Sequence, residues 1–276
     1  MERLRTSVLV HVAALAAVLV DHHWWPWSLG ALVINHLLLA LGGLLPRSRL
    51  LGPNWTRLPQ AQAQGAVALT IDDGPDPEVT PAVLDLLALH GVRATFFCIG
   101  ERVARYPELA RRIAREGHEI GNHTAHHRYL FSLCGPAVIR REIALAQASI
   151  EAICQVVPRF FRAPAGLRNP FLQPCLATQG LQLASWTRRG YDTVNTDAEV
   201  VLRRLTRHLG AGDILLLHDG RAARTPDGTP VILAVLQRLL PILARLQLRC
   251  VTLSQGTPEG APRGAGRPGV GGWNAS

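Results

Sequence analysis

The sequence predicts an α/β protein built on a parallel sheet or barrel and preceded by a hydrophobic helical hairpin. Three observations predict it. Short β-rich apolar runs alternate with helical patterns between about residues 65 and 254. The apolar fraction of 48% is ample for a buried core. Two long apolar stretches precede the alternating region.

Those stretches are Thr6–Val20 and Ser28–Leu45, separated by Asp21-His22-His23-Trp24-Trp25-Pro26-Trp27. Tryptophans suit a membrane–water interface. The second stretch is just long enough to span a bilayer despite Asn35 and His36, whereas the first is short and also fits a signal-peptide core. Arg3 and Arg5 lie before the pair, Arg47, Arg49 and Arg57 after it, and no arginine lies between. The positive-inside rule then favours a two-span anchor in a bacterial inner membrane with both ends in the cytoplasm. The alternative is a helical hairpin buried against the domain that follows. Residues 1–57 are assigned to this segment.

From 65 to 254 the elements alternate. Ala66–Ile71 reads as a buried strand and Thr80–His90 as a helix. Ala94–Ile99 is a strand and Pro107–Glu116 a helix. Ala137–Ile153 has long helical periodicity, and Arg159–Phe161 and Leu181–Ser185 are short strands. Ala198–Leu209 is a helix, Asp213–Leu217 a strand and Val231–Leu246 a helix; Arg249–Leu253 closes the series. Strands in such a fold present functional residues at their C-terminal ends. Residues 255–276 are Gly- and Pro-rich without apolar periodicity and read as a disordered tail.

The formal charge of +9 is carried by arginine, because the chain contains no lysine. That excludes Schiff-base lysines, phosphate-loop lysines and serine–lysine dyads. The arginines occur in scattered pairs (Arg111-Arg112, Arg140-Arg141, Arg188-Arg189, Arg203-Arg204) rather than on one face, which argues against a nucleic-acid partner. An anionic membrane surface or lipid-linked substrate suits the charge at least as well. The five cysteines show no CxxC spacing, so neither a disulfide framework nor a zinc knuckle is expected.

Four clusters carry chemistry. Thr70-Ile71-Asp72-Asp73-Gly74-Pro75 ends the first strand, and adjacent strand residues point to opposite sides, so one carboxylate can face a metal and the other a water. Asp-Asp-Gly-Pro is also good turn chemistry. In Gly121-Asn122-His123-Thr124-Ala125-His126-His127, His123 and His127 share a face if the segment is a helical turn, a spacing that zinc sites use. His126 points elsewhere on such a turn. The apolar strand at Ile214–Leu217 ends in His218, which places an ionisable ring at the mouth of a buried sheet unless it is a satisfied core histidine. Arg162, in Phe161-Arg162-Ala163-Pro164-Ala165-Gly166, is suited to orienting a carboxylate, and the backbone after Pro164 to offering an N–H to an oxyanion.

Together these residues resemble the polysaccharide deacetylase (NodB-homology) superfamily, carbohydrate esterase family four, over roughly Ala66 to Leu253. The Thr-Phe-Asp-Asp-Gly-Pro motif appears with Ile71 for the aromatic. The His-Ser/Thr-x-x-His motif appears as His123 to His127, opening from the usual Gly-His-Glu-x-Gly-Asn-His-Thr context at Gly117 to Thr124, and the late Leu-x-His motif as Leu216-Leu217-His218. The resemblance implies a distorted (β/α) barrel of about seven strands. It implies Asp73, His123 and His127 as ligands of a divalent metal, zinc first with cobalt or nickel as alternatives. It makes Asp72 the general base and His218 the general acid.

Two positions depart from the pattern. Ala165 stands where the third motif carries an aromatic, removing a wall of the sugar groove while keeping the backbone N–H. Arg189 stands where the fourth motif places an aspartate after Trp186, and Asp192 matches the later aspartate. A deformylase acting on lipid-linked aminoarabinose in the same superfamily also has a divergent Arg-Ala-Pro third motif. The expected activity is removal of an N-acetyl or similar N-acyl group from an amino sugar in a polysaccharide, oligosaccharide or lipid-linked saccharide. Arg162 acts beside the base, and Trp186 and Leu216 wall the acyl methyl. The alternative is a non-catalytic sugar- or lipid-binding protein on the same fold.

Overall fold

Seven consecutive residues, Ala66–Asp72, are completely or almost completely buried. A run of this kind, apolar except for Thr70 and the terminal Asp72, suits a strand covered on both faces. This strand, β1, is the centre of the molecule. The computed structural model describes residues 2–59 and 63–256; the tail expected at 255–276 lies outside the described residues except for Gln255 and Gly256.

The strands are β1 (Ala66–Asp72), β2 (Thr95–Cys98), β3 (Glu119–Asn122), β4 (Phe160–Phe161), β5 (Gln182–Leu183), β6 (Arg188–Arg189), β7 (Ile214–His218) and β8 (Arg249–Val251). Seven of them run in the order β5-β4-β3-β2-β1-β7-β6, all parallel. β8 pairs with the first half of β1, and β2 pairs with the second half. The result is a curled half-barrel with helices around it, as expected from the sequence.

The helices are α1 (Glu2–Val20), α2 (Trp25–Leu44), α3 (Thr80–Leu89), α4 (Gly100–Arg105), α5 (Pro107–Arg115), α6 (Pro136–Cys154), α7 (Leu172–Ala177), α8 (Ala198–Thr206) and α9 (Val231–Arg245). Prolines start α3, α5 and α6 within their first turns, where the missing N–H costs no hydrogen bond. Val83, Leu84 and Leu87 of α3, Ile113 of α5 and Val235, Leu236 and Leu239 of α9 close one face of the sheet. Phe97, Phe160, Ala184, Trp186 and Leu216 fill the concave interior. Full burial of each large side chain contributes about 1.5–3 kcal/mol.

The chain crosses from one edge of the curled sheet to the other between Leu183 and Arg188, and residues 55–58 run beside the crossing. Trp55 bridges Ala184 in parallel and Arg57 bridges Asp213 in antiparallel fashion. Leu58 N donates to Gly212 O at 2.8 Å. The segment after α2 is therefore stitched into the barrel wall.

α1 and α2 pack as a hairpin. Ser28 Oγ donates to Ala14 O (3.0 Å) and Asn35 Nδ2 to Ser7 Oγ (2.9 Å) inside it. Outside, Leu9, Val12, Leu15, Leu19, Val33, Ile34, Leu37 and Leu41 are exposed. Both helices are long and apolar enough to cross a membrane. The end of α2 is held by the barrel: Arg168 N donates to Gly43 O (3.0 Å), and its guanidinium donates to Gly42 O (3.3 Å) and Ser48 O (2.7 Å). A cation on the last carbonyls satisfies orphaned acceptors and opposes the helix dipole.

Candidate active site and metal centre

β1 delivers Asp72 and Asp73 to the C-terminal mouth of the sheet, β3 delivers His123, and β7 ends on His218, in register with Asp72. Asp73 lies just past β1 with φ 73°, so the two neighbouring carboxylates diverge.

Asp73, His123 and His127 each offer one ligand atom, and these atoms lie within 4.8 Å of one another. Asp73 Oδ1 is 3.3 Å from His123 Nε2 and 3.1 Å from His127 Nε2. Yet Asp73 Oδ1, shielded from solvent, makes no hydrogen bond. Buried polar atoms are rarely left without partners. Three Lewis bases pointing at one spot fit a divalent cation of the zinc class, with coordination positions left for water and substrate. His123 Nδ1 lies 2.8 Å from Arg162 O, which turns Nε2 toward that spot.

His123 and His127 do not share a helical turn. β3 stops at Asn122, and the ligands stand on a loop in which Thr124 (φ 67°) and His127 (φ 48°) are left-handed. Asn122 Oδ1 accepts from Thr124 N and Thr124 Oγ1 from His127 N, both at 2.9 Å. These side-chain turns compete with helix and win. Glu142, buried on α6, completes the loop by accepting from His126 N (3.1 Å), His126 Nδ1 (2.9 Å) and Arg128 Nε (3.1 Å). His126 faces away from the ligand cluster, and no sequence signal distinguishes Glu142 from other helix residues.

Asp72 is tied from behind. Arg162, 1% exposed, donates to Asp72 Oδ1 (2.7 Å), Thr70 Oγ1 (2.8 Å), Ala184 O (3.1 Å) and Ser185 O (2.7 Å). Its guanidinium also lies 4.1 Å from the centre of the Phe97 ring. The charge is buried but fully engaged, which a buried cation requires.

His218 faces the two aspartates and is held by Asp192. Its backbone N donates to Asp192 Oδ2 at 2.7 Å, and its Nδ1 meets Asp192 Oδ1 at 2.9 Å. Burial disfavours the charged ring, but Asp192, reinforced by Asp72 and Asp73, outweighs it and raises His218 to about 9. Its partner is thus Asp192, four residues beyond β6's first arginine, and not position 189. By contrast, burial and the neighbouring His123 push His127 down to about 4, which keeps it a neutral ligand. Asp219, which the sequence did not single out, is buried beneath the Asp73 turn; Thr80 Oγ1 donates to it at 2.5 Å.

Ala165 is exposed with φ 54° and precedes Gly166. A Cβ on Gly166 would meet Trp186 at 2.6 Å and Pro46 at 2.7 Å. Trp186 is buried against this loop, and Leu216, 1% exposed, lies beneath it in the interior. Arg189 stands over Trp186, as described below.

A curled parallel half-barrel with a carboxylate–imidazole cluster at its C-terminal mouth defines an α/β-barrel hydrolase class. Residues 60–184 match the polysaccharide deacetylase family model. The chain is 38% identical over 187 residues to a chitooligosaccharide deacetylase of Bradyrhizobium sp., covering 65% of this chain and 85% of the relative. It is also 38% identical over 191 residues to a peptidoglycan-N-acetylglucosamine deacetylase of Bacillus cereus, covering 68% and 86%. A family 4 carbohydrate esterase from Streptomyces lividans in complex with acetate superposes with a TM-score of 0.61 at 31% identity, covering 67% of this chain and 91% of that one. The chain belongs to the polysaccharide deacetylase family.

Proposed function

We propose that this protein is a metal-dependent N-deacetylase acting on an acylated amino sugar presented at a membrane surface, a lipid-linked saccharide above all. The convergence of Asp73, His123 and His127 beside Asp72 and His218 carries this reading. A divalent cation there, zinc with cobalt or nickel as alternatives, would polarise the acyl carbonyl and acidify a bound water. Asp72, oriented by Arg162, takes a proton from the water as its oxygen attacks the acyl carbon. His218, charged below about pH 9, donates a proton to the sugar nitrogen as the carbon–nitrogen bond breaks. The products are a carboxylate and a free amine. The Ala165 N–H is suited to the oxyanion, and Trp186 with Leu216 to the acyl methyl.

The membrane part of the proposal is supported by the apolar exterior of α1 and α2 and by their attachment. Pro46, two residues beyond α2, packs on Gly166 at the site, and its carbonyl accepts from Ser185 Oγ at 2.6 Å. A bilayer crossed by α2 would thus lie beside the mouth. The arginines at both outer ends of the hairpin favour a cytoplasmic domain on a bacterial inner membrane. A non-catalytic sugar- or lipid-binding role would need neither the ligand set nor the paired base and acid. Release of acetate or formate from a panel of acylated sugars, with and without chelator, tests the reading; chelator-insensitive release, or none from any probe, would overturn it.

A further inference from the structure

Arg189 differs from every other arginine near the mouth. It lies on β6, in register with Leu216 of β7 and three residues before Asp192. Its guanidinium carbon is 5.2 Å from the ring centre of Trp186 and 4.8 Å from that of Tyr191. Its Nε is shielded from solvent and meets no acceptor. Arg188 beside it pairs with Asp213 at 2.5 Å, Arg204 reaches Gly190 O at 3.5 Å, and Arg162 is fully engaged. Among the described residues the Arg189 side chain has no hydrogen bond and no ion pair.

We propose that Arg189 is the recognition point for an anionic group, a carboxylate or a phosphate ester, carried by the substrate; this rests on the deacetylase reading and narrows its substrate class. Two aromatic faces fix the guanidinium plane while leaving its edge donors open, the arrangement that suits a bidentate oxyanion. Tuning of His218 is not its role, because a cation opposes the imidazolium and Asp192 already serves that ring. A second cation, Arg221, lies on the other side of the site, over Tyr129 at 5.1 Å and donating to its hydroxyl at 3.1 Å; the Tyr129 ring is 6.5 Å from that of His127. The mouth therefore presents cations on two flanks. Trp186, under Arg189, contacts the same glycine as Pro46, so an anion borne by a sugar at the membrane arrives within reach of Arg189.

The test uses the full chain in detergent and three probes: neutral chitotetraose, a glycan containing N-acetylmuramic acid carboxylates, and polyprenyl diphosphate-linked N-acetylglucosamine. The ratio of kcat/KM on an anionic probe to that on chitotetraose should fall by about tenfold or more in Arg189→Gln, the size of one charged hydrogen bond. Arg189→Lys, which keeps the charge but loses the fork, should fall less. The probe whose ratio falls identifies the source, carboxylate or diphosphate. Calorimetric binding of the same probes is read in parallel, so a chain that releases no acetate would sink the deacetylase reading while binding still decides the anion site. Unchanged ratios and unchanged binding in Arg189→Gln, with an unchanged unfolding midpoint, would overturn the proposal.

Discussion

Asp192 grips His218 twice, one carboxylate oxygen on the backbone nitrogen at 2.7 Å and the other on Nδ1 at 2.9 Å. The ring is thereby fixed in orientation, tautomer and charge at once. His218 is raised to about 9, against the opposing effect of burial, by Asp192 and the two strand-end aspartates.

The alkaline limb of the pH–rate profile should report this. Donation from His218 requires the charged ring, so activity is present below its folded pKa and is lost as pH rises through it, with about 9 as the upper bound for the metal-free site. A bound cation would pull that limb lower. Asp192→Asn removes the main anionic partner and should move the limb toward the ordinary histidine value of 6.5, with about a tenfold to hundredfold loss of kcat/KM at pH 8. An unmoved limb would assign it to another group.

Asp72 and Asp73 should separate in a metal assay. Asp72→Asn should keep the metal and lose about 10²–10⁴-fold in kcat, the contribution of a general base. His127→Ala should lose metal and activity together, because among the described residues three protein ligands converge there and none stands in reserve. Elemental analysis of the purified variants distinguishes the two behaviours; an emptied site in Asp72→Asn would exchange the aspartates' roles.

Arg162→Met should destabilise the barrel by about 3–5 kcal/mol, since it strands the buried Asp72 carboxylate and the Ala184 and Ser185 carbonyls without their donor. Denaturant unfolding measures this. A change under about 1 kcal/mol would mean that water replaces the guanidinium without cost.

The hairpin's attachment is open to a steric test. A Cβ on Gly43 would sit 2.2 Å from Arg168 O, and nothing at that contact is flexible. Gly43→Leu should free the end of α2 from the barrel and expose residues 45–58 to limited proteolysis. Unaltered protection would show that the attachment tolerates a shifted register.

Topology is read with reporters fused after Arg57. Green fluorescent protein should fluoresce and alkaline phosphatase stay inactive; the reverse pattern would put the domain outside and point to cell-wall or exported glycans.

β1 and β7 were legible because each is an apolar run that ends abruptly in an ionisable residue. β3 and β6 were not, because Glu119–Asn122 holds a single large apolar residue and Arg188–Arg189 none. Both are strands because neighbouring edges supply their hydrogen bonds, an effect of tertiary context on weak local preference. The ligand histidines were legible as a pair but not as a loop: a spacing of four does not distinguish helix from two consecutive side-chain turns. Asp192 is the one carboxylate in the Arg189–Asp192 stretch, and only the fold shows that it turns inward to His218. Glu142 fixes its loop from a different helix, a relation that no local pattern encodes.

The stitching of Trp55 to Ala184 and of Leu58 to Gly212 means that the segment between the hairpin and β1 is not a removable leash. Cutting the chain just ahead of β1 would also delete a stave of the barrel, exposing the Phe160 ring that Trp55 meets edge-on at 5.6 Å and opening the gap between Leu183 and Asp213. A chain shortened by the two apolar helices should therefore begin just before Pro46, so that the wall of the vessel stays whole.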